Sequence, residues 1–251
     1  MRTMPRLNAG VENARNPYGP QARTILKSMN LPIPMRPDFE VLGSANLLKV
    51  FFGLVKKEHS VGSLEYRLIS SACDTSEYWH NKKGKRRLSG EREFKHSLRA
   101  TIILWVYCGV RSAVRIAAML PHDLYELYRK RWSRKQIEKR FGPEVAKHVA
   151  ELTKPPLSPG TTDEEVERVY YGQQLSSASR EVVEEKGCDV LDNLMTLWKR
   201  NFRSAMRKIN DVRRYLLPLL RKHGLTKLLN AIEMVIAFIL EKIERKEAFA
   251  F

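Results

Sequence analysis

The chain has 251 residues, 43% of them hydrophobic, which suits one sizeable core with a helical appendage rather than a string of domains. Its formal net charge of +17 disfavours cationic partners and points to polyanions: nucleic acid, an anionic membrane surface or a phosphorylated metabolite. Three scattered cysteines, Cys73, Cys108 and Cys188, without a CxxC spacing, argue against a disulfide framework or a zinc-cysteine site and fit a reducing compartment.

Residues 1–37 are rich in proline and show little periodic apolar pattern, so an extended arm is expected. The opening MRTMPRLNAGVENARN has no apolar stretch of the secretory kind, although its arginines and scarcity of acids are shared with transit peptides. From about Phe39 the periodicity becomes helical. Leu47, Leu48, Phe51, Phe52 and Val55 mark one helix, and Tyr66, Leu68, Ile69 and Ala72 mark a second. Lys82 to Gly90 reads as a basic loop. A helix over 93–108 follows, with His96 near its start and ATIILWVYC buried behind it.

Segment 111–120 reads as another buried helix, ended near Pro121, whose missing N–H disturbs the ladder just before His122. Ser133 announces a short helix over about 133–140 as its N-cap, and a helix over 143–152 then runs into the turn-rich PPLSPGTT. Helical periodicity returns over roughly 163–185, 188–208, 209–222 and 225–246, with breaks expected near Gly187 and Gly224. No alternating strand pattern and no internal repeat is found, and the expected fold is all-α. The longest apolar stretches, 100–110 and 231–240, fall short of the roughly 20 residues of a spanning helix, so no membrane segment is expected.

The positive charge is concentrated. Residues 82–99 carry eight basic side chains against two acidic ones, 128–140 seven against one, and 199–222 nine against one. Such blocks are either solvated helix faces or docking surfaces for a polyanion.

Candidate chemistry lies in His96, the pair His122-Asp123, and Asp189. Two imidazoles and two carboxylates can hold one divalent cation and leave room for water and substrate. Taken singly, each has a plain alternative: His96 as a capping or core histidine, the HD pair as chance, Asp189 as a helix cap. Glu126 follows Asp123 by one helical turn and can face the same place, or pair with Arg129 or Lys130.

In combination, these words resemble the HD-domain hydrolases of the RelA/SpoT type. RLSGEREFKH (87–96), AAMLPHDLYEL (117–127) and KGCDVLDNLMT (186–196) stand in the family's order, with IEKRFGPEVAKHVAELTK (137–154) similar to its linking helices and His80 similar to a histidine ahead of the basic loop. The resemblance covers about residues 66–200. It implies His96, His122, Asp123 and Asp189 as metal ligands, with Mn2+ the usual ion, although the donor set also suits iron or zinc. It implies Glu126 as the residue that orients or deprotonates the attacking water and Asn193 as its partner in catalysis, with Asn193, Thr196, Arg87 and Ser89 as contacts to sugar, base and phosphate. The chain departs from the family at Leu88, at Arg92-Glu93, at Pro121 and at Leu127, which replaces a second acid after the glutamate. These changes leave the cage intact and alter the pocket wall, which puts efficient guanosine tetraphosphate hydrolysis in doubt.

The expected organisation is an extended arm over 1–37, an HD hydrolase-like domain over 38–208, and a C-terminal helical extension over 209–251 that packs on the core or forms an interface, here of a homodimer. The resemblance implies a small, stand-alone, cytoplasmic phosphohydrolase that removes the 3′-pyrophosphate from guanosine tetra- or pentaphosphate, with a nicotinamide dinucleotide 2′-phosphate as another substrate. The alternative is a catalytically weakened HD scaffold that binds nucleic acid through its basic surface, aided by stacking on Trp79, Trp132 and Trp198.

Overall fold

Apolar side chains spaced three to four residues apart close one face of the first helix, α1 (Ser44–Glu58), where Leu47, Val50, Phe51 and Val55 have no solvent exposure. The computed structural model of the chain describes residues 44–82, 92–155, 160–195, 197 and 202–244. The expected arm over 1–37 lies outside the described residues. After α1 come α2 (Leu64–Lys82) and α3 (Glu93–Ile102), the latter continued by a π turn over Ile103–Tyr107. Among the described residues all regular structure is helical and no strand occurs, as the sequence pattern predicts.

Four short helices build the middle of the chain: α4 (Ala113–Met119), α5 (His122–Leu127), α6 (Arg134–Phe141) and α7 (Pro143–Leu152). Ser133 caps α6 with a full capping box through Gln136, so two otherwise orphaned amides are satisfied reciprocally. Gly142, at φ 92°, then turns the chain and Pro143 opens α7. Next comes α8 (Asp163–Val169), capped by Thr162 and Glu165 and extended by a π turn (Tyr170–Gln174) and a single 3-10 turn (Leu175–Ser177). The helix expected over 163–185 is therefore interrupted before Arg180.

α9 (Arg180–Met195) is the central helix, packed against α3, α4 and α7 and buried along almost its whole length. Charges in so buried a helix need partners. Glu185, fully buried, has them in Arg115 Nε at 2.7 Å and His148 Nδ1 at 2.8 Å, while Glu184 accepts from Arg115 at 2.9 Å. The break expected at Gly187 does not occur, because Gly187 is a packing glycine inside α9. A Cβ there would stand 2.3 Å from Leu228 Cδ2. For the same reason Asp189 lies in mid-helix and is no cap.

The chain closes with α10 (Phe202–Asp211), a π turn over Val212–Leu216, α11 (Leu217–Lys222) and α12 (Thr226–Glu244). Gly224, at φ 65°, makes the expected break between the last two. The boundary expected at 208/209 falls inside α10, so the C-terminal segment continues a helix rather than starting a separate one. α12 lays Leu228, Leu229, Ile232, Val235, Ile236 and Ile239 against the core, each no more than 8% exposed, with α9 and α11 beneath it. Burying side chains of this kind contributes roughly 1.5–3 kcal/mol each. No helix among the described residues is long and apolar enough to cross a membrane.

Candidate metal centre

Three helices deliver the candidate ligands to one point. α3 places His96 one turn from its start, α5 opens on His122 and Asp123, and α9 supplies Asp189. His96, His122 and Asp189 are buried, and one ligand atom from each lies within 4.8 Å of the other two. His96 Nε2 is 2.9 Å from Asp189 Oδ1, and His122 Nε2 is 3.7 Å from the same oxygen. Asp123 stands at the solvent side, with Oδ1 3.3 Å from His122 Nε2 and Oδ2 3.7 Å from His96 Nε2.

The two imidazoles are turned the way metal ligands require. His122 Nδ1 donates to the Met119 carbonyl at 2.7 Å, which leaves Nε2 as the acceptor, and that nitrogen is buried with no hydrogen-bond partner. His96 Nδ1 donates to Asp192 Oδ2 at 2.7 Å, and Asp192 is held in turn by the Arg99 guanidinium. A buried Nε2 without a partner, beside carboxylate oxygens, fits a divalent cation.

Electrostatics bind the cage together. Burial opposes the charged form of His122, yet Asp123, Asp189 and the Met119 carbonyl raise its pKa to about 9. Burial likewise opposes ionisation of Asp189, but Lys186, 2.8 Å away, and the two imidazoles hold its carboxyl well below the usual carboxylate range. Asp192 is shifted in the same direction, with burial outweighed by Arg99 and His96.

The region that contains the two histidines is the part known proteins recognise: residues 72–177 match the family model described as HD domain. The chain carries an HD domain. Asp189 and the helix that bears it lie beyond the matched stretch. No curated protein matches the chain. Among solved structures, a metazoan ortholog of SpoT, described as hydrolysing ppGpp and acting in starvation responses, superposes with a TM-score of 0.60. It is 19% identical, over 71% of this chain and 97% of that one, which makes it a likeness of fold.

Around the candidate cage the other sequence candidates distribute unevenly. Glu126 is exposed one turn beyond Asp123, and it makes no ion pair among the described residues; Arg129 donates instead to the backbone carbonyls of Glu126 and Lys154. Asn193 donates to Asp189 Oδ1 at 2.7 Å and to the Asp189 carbonyl at 2.9 Å, so its amide steadies a candidate ligand. Leu127 is half-buried against the core. His80 is buried with its ring 5.9 Å from that of Tyr128. Arg87, Leu88, Ser89 and Thr196 lie outside the described residues.

Asp192, Arg99 and Lys186 escaped the sequence reading. A signal existed for the first two: Arg99 follows His96 by three residues and Asp192 follows Asp189 by three, so each helix carries a second polar group one turn along the same face. The stacking surface drawn from tryptophans needs correction. Trp132 is 7% exposed and packs on Phe141 and Trp79, so its faces serve the core; Trp198 lies outside the described residues.

Proposed function

We propose that the chain is a metal-dependent phosphohydrolase acting on a nucleotide, with removal of the 3′-pyrophosphate from guanosine tetra- or pentaphosphate as the leading activity. The convergence of His96, His122 and Asp189, with the lone pair of His122 Nε2 turned inward, carries this reading. Asp123 completes the ligand set. When bound, a divalent cation, with Mn2+ the expected ion, lowers the pKa of water and screens phosphate charge.

The chain's own groups supply the rest. Glu126 is assigned the orientation and deprotonation of the attacking water, since its carboxylate is one turn from Asp123 and has no competing ion pair among the described residues. Asn193 keeps Asp189 oriented and presents its other face to the sugar. Arg87, Ser89 and Thr196 are assigned to base and phosphate. The description of the structural neighbour as an enzyme that hydrolyses ppGpp supports the choice of nucleotide.

The test is direct. Protein stripped with chelator and resupplied with Mn2+ is offered guanosine tetraphosphate, guanosine pentaphosphate and nicotinamide dinucleotide 2′-phosphate. Release of pyrophosphate or phosphate is expected, and His122→Ala should abolish it; equal release by the variant overturns the reading.

One observation favours a second reading, in which the basic surface binds nucleic acid. Arg131, Arg134, Lys135 and Lys139 are exposed without an ion pair among the described residues. Binding that falls steeply with salt and survives His122→Ala would support it.

A further inference from the structure

Cys108 and Cys188 stand 80 residues apart in sequence and 3.5 Å apart in space, sulfur to sulfur. Each belongs to an element that carries a cage residue. Cys108 ends the π turn that continues α3, the helix of His96, and Cys188 directly precedes Asp189 in α9. α9 packs against both α3 and that turn. The third thiol, Cys73, is buried in α2, and all three cysteines are free.

The two neighbouring sulfurs differ in access. Cys188 has no solvent exposure, whereas Cys108 is half-buried and is followed by Gly109, exposed at φ 78°. An oxidant arriving from solvent therefore meets Cys108 first, with Cys188 behind it as the resolving thiol. A disulfide holds its sulfurs about 2.0 Å apart, so joining the pair requires a contraction of about 1.5 Å. The turn is held on both flanks: Tyr107 Oη donates to the Lys227 carbonyl of α12 at 3.0 Å, and Arg111 Nη1 to the Trp105 carbonyl at 2.7 Å. α9 then takes up part of the contraction. Its next residue is Asp189, whose Oδ1 lies 2.9 Å from His96 Nε2, and metal sites tolerate ligand displacements of only about 0.2 Å.

We propose that Cys108 and Cys188 are a site of reversible oxidation, closing to a disulfide that draws α9 toward the turn after α3 and loosens the cage's hold on a cation. Hydrogen peroxide is the oxidant. The Cys108 sulfur attacks one peroxide oxygen, the O–O bond breaks, and a sulfenic acid and a water result. The Cys188 sulfur then attacks the Cys108 sulfur, the S–O bond breaks, and the hydroxyl leaves as water with the Cys188 proton. Two thiols give up two electrons and two protons, and one peroxide becomes two waters. A dithiol reverses the change and is itself oxidised to a disulfide. The effect on the cage rests on the reading of the chain as a metal-dependent phosphohydrolase.

The full chain is treated with hydrogen peroxide in chelator, and thiols are counted after unfolding. The count should fall from three to one, with the Cys108 and Cys188 peptides linked and Cys73 free, and dithiothreitol should restore it. The linked chain, desalted and titrated with Mn2+, should bind about tenfold more weakly, as when the support of a ligand is disturbed. Cys108→Ser given the same peroxide should keep its affinity, which separates the disulfide from methionine oxidation. Three thiols after treatment, or Cys108 carried to a sulfinic acid without a link, overturns the site; a linked chain with unaltered Mn2+ affinity overturns the switch. The two readings fail separately. A reduced chain that binds Mn2+ and hydrolyses no nucleotide sinks the hydrolase reading alone, and the affinity comparison still decides the switch; hydrolysis that is the same in the linked and reduced chains sinks the switch alone. A chain that binds no Mn2+ in either state overturns both.

Discussion

Asp192 accepts the Nδ1 proton of His96 at 2.7 Å while its other oxygen is taken by Arg99, so a fully buried ion pair sets the orientation of a cage histidine. A ligating imidazole whose second nitrogen is held by a carboxylate keeps one tautomer and becomes a better donor. Asp192→Asn keeps the shape, removes the charge, and should lower Mn2+ affinity by about 10–100-fold, read by metal titration. Asp192→Ala also strands a buried guanidinium and should cost about 3–5 kcal/mol in denaturant unfolding. An asparagine variant with wild-type metal affinity would refute the role of the ion pair.

Metal uptake should depend on pH. The His122 proton, held up to a pKa of about 9, must leave before Nε2 can ligate. Below that pKa each pH unit should raise apparent Mn2+ affinity about tenfold for this one proton, so roughly a hundredfold separates pH 6 from pH 8. In chelator the sign reverses. A folded pKa above the unfolded value of about 6.5 gives stability that is fully present below pH 6.5 and is lost as pH rises through 9. Metal titrations and melting curves at three pH values check both slopes, and a flat metal affinity between pH 6 and 8 counts against His122 as a ligand.

Lys208 should carry a stability cost. Replacing a half-buried ammonium that makes no ion pair among the described residues with glutamine relieves its desolvation, and a gain of about 1 kcal/mol, or roughly 3 °C in Tm, is expected near neutral pH without added anion. Because the folded pKa lies near 8, below the unfolded value of about 10.5, the gain should shrink as pH rises through that interval. A destabilised variant at pH 7 would mean that Lys208 is already well paired.

Gly187 keeps α9 and α12 together. An alanine methyl would arrive 2.3 Å from Leu228 Cδ2 and 3.2 Å from Leu220 Cδ2, both in the packed interior. Overpacking of this kind costs about 1–3 kcal/mol, and the better helix propensity of alanine returns about 1 kcal/mol, so Gly187→Ala should destabilise by about 1–2 kcal/mol. Leu228→Ala in the same chain should recover part of that loss, and equal losses with and without it would locate the strain elsewhere.

The helical fold was legible because periodicity survives wherever a helix has one buried face, as in α1, α6, α7 and α12. It misled on α9, which is buried on nearly all sides and so reads without a stripe; there Gly187 looked like a stop and Asp189 like a cap. The cage residues were legible through their spacing and the family resemblance. The ion pair behind His96 was not, because Asp192 and Arg99 look like ordinary surface charges until α3 and α9 are laid side by side. Trp132 shows the reverse error: an aromatic among exposed cations suggested stacking, yet its ring closes the core under α6.

α9 begins three residues after the stretch that matches the HD family model ends, and it holds Lys186, Asp189, Asp192 and Asn193 within eight positions. A fragment trimmed at residue 177 would therefore retain both imidazoles and Asp123 and forfeit Asp189 together with the groups that aim and neutralise it. Such a fragment would also strip the cover from the apolar faces of α3 and α7. The smallest portable unit of this chemistry runs past the recognisable domain and into α12, whose leucines keep the ligand-bearing helix in place.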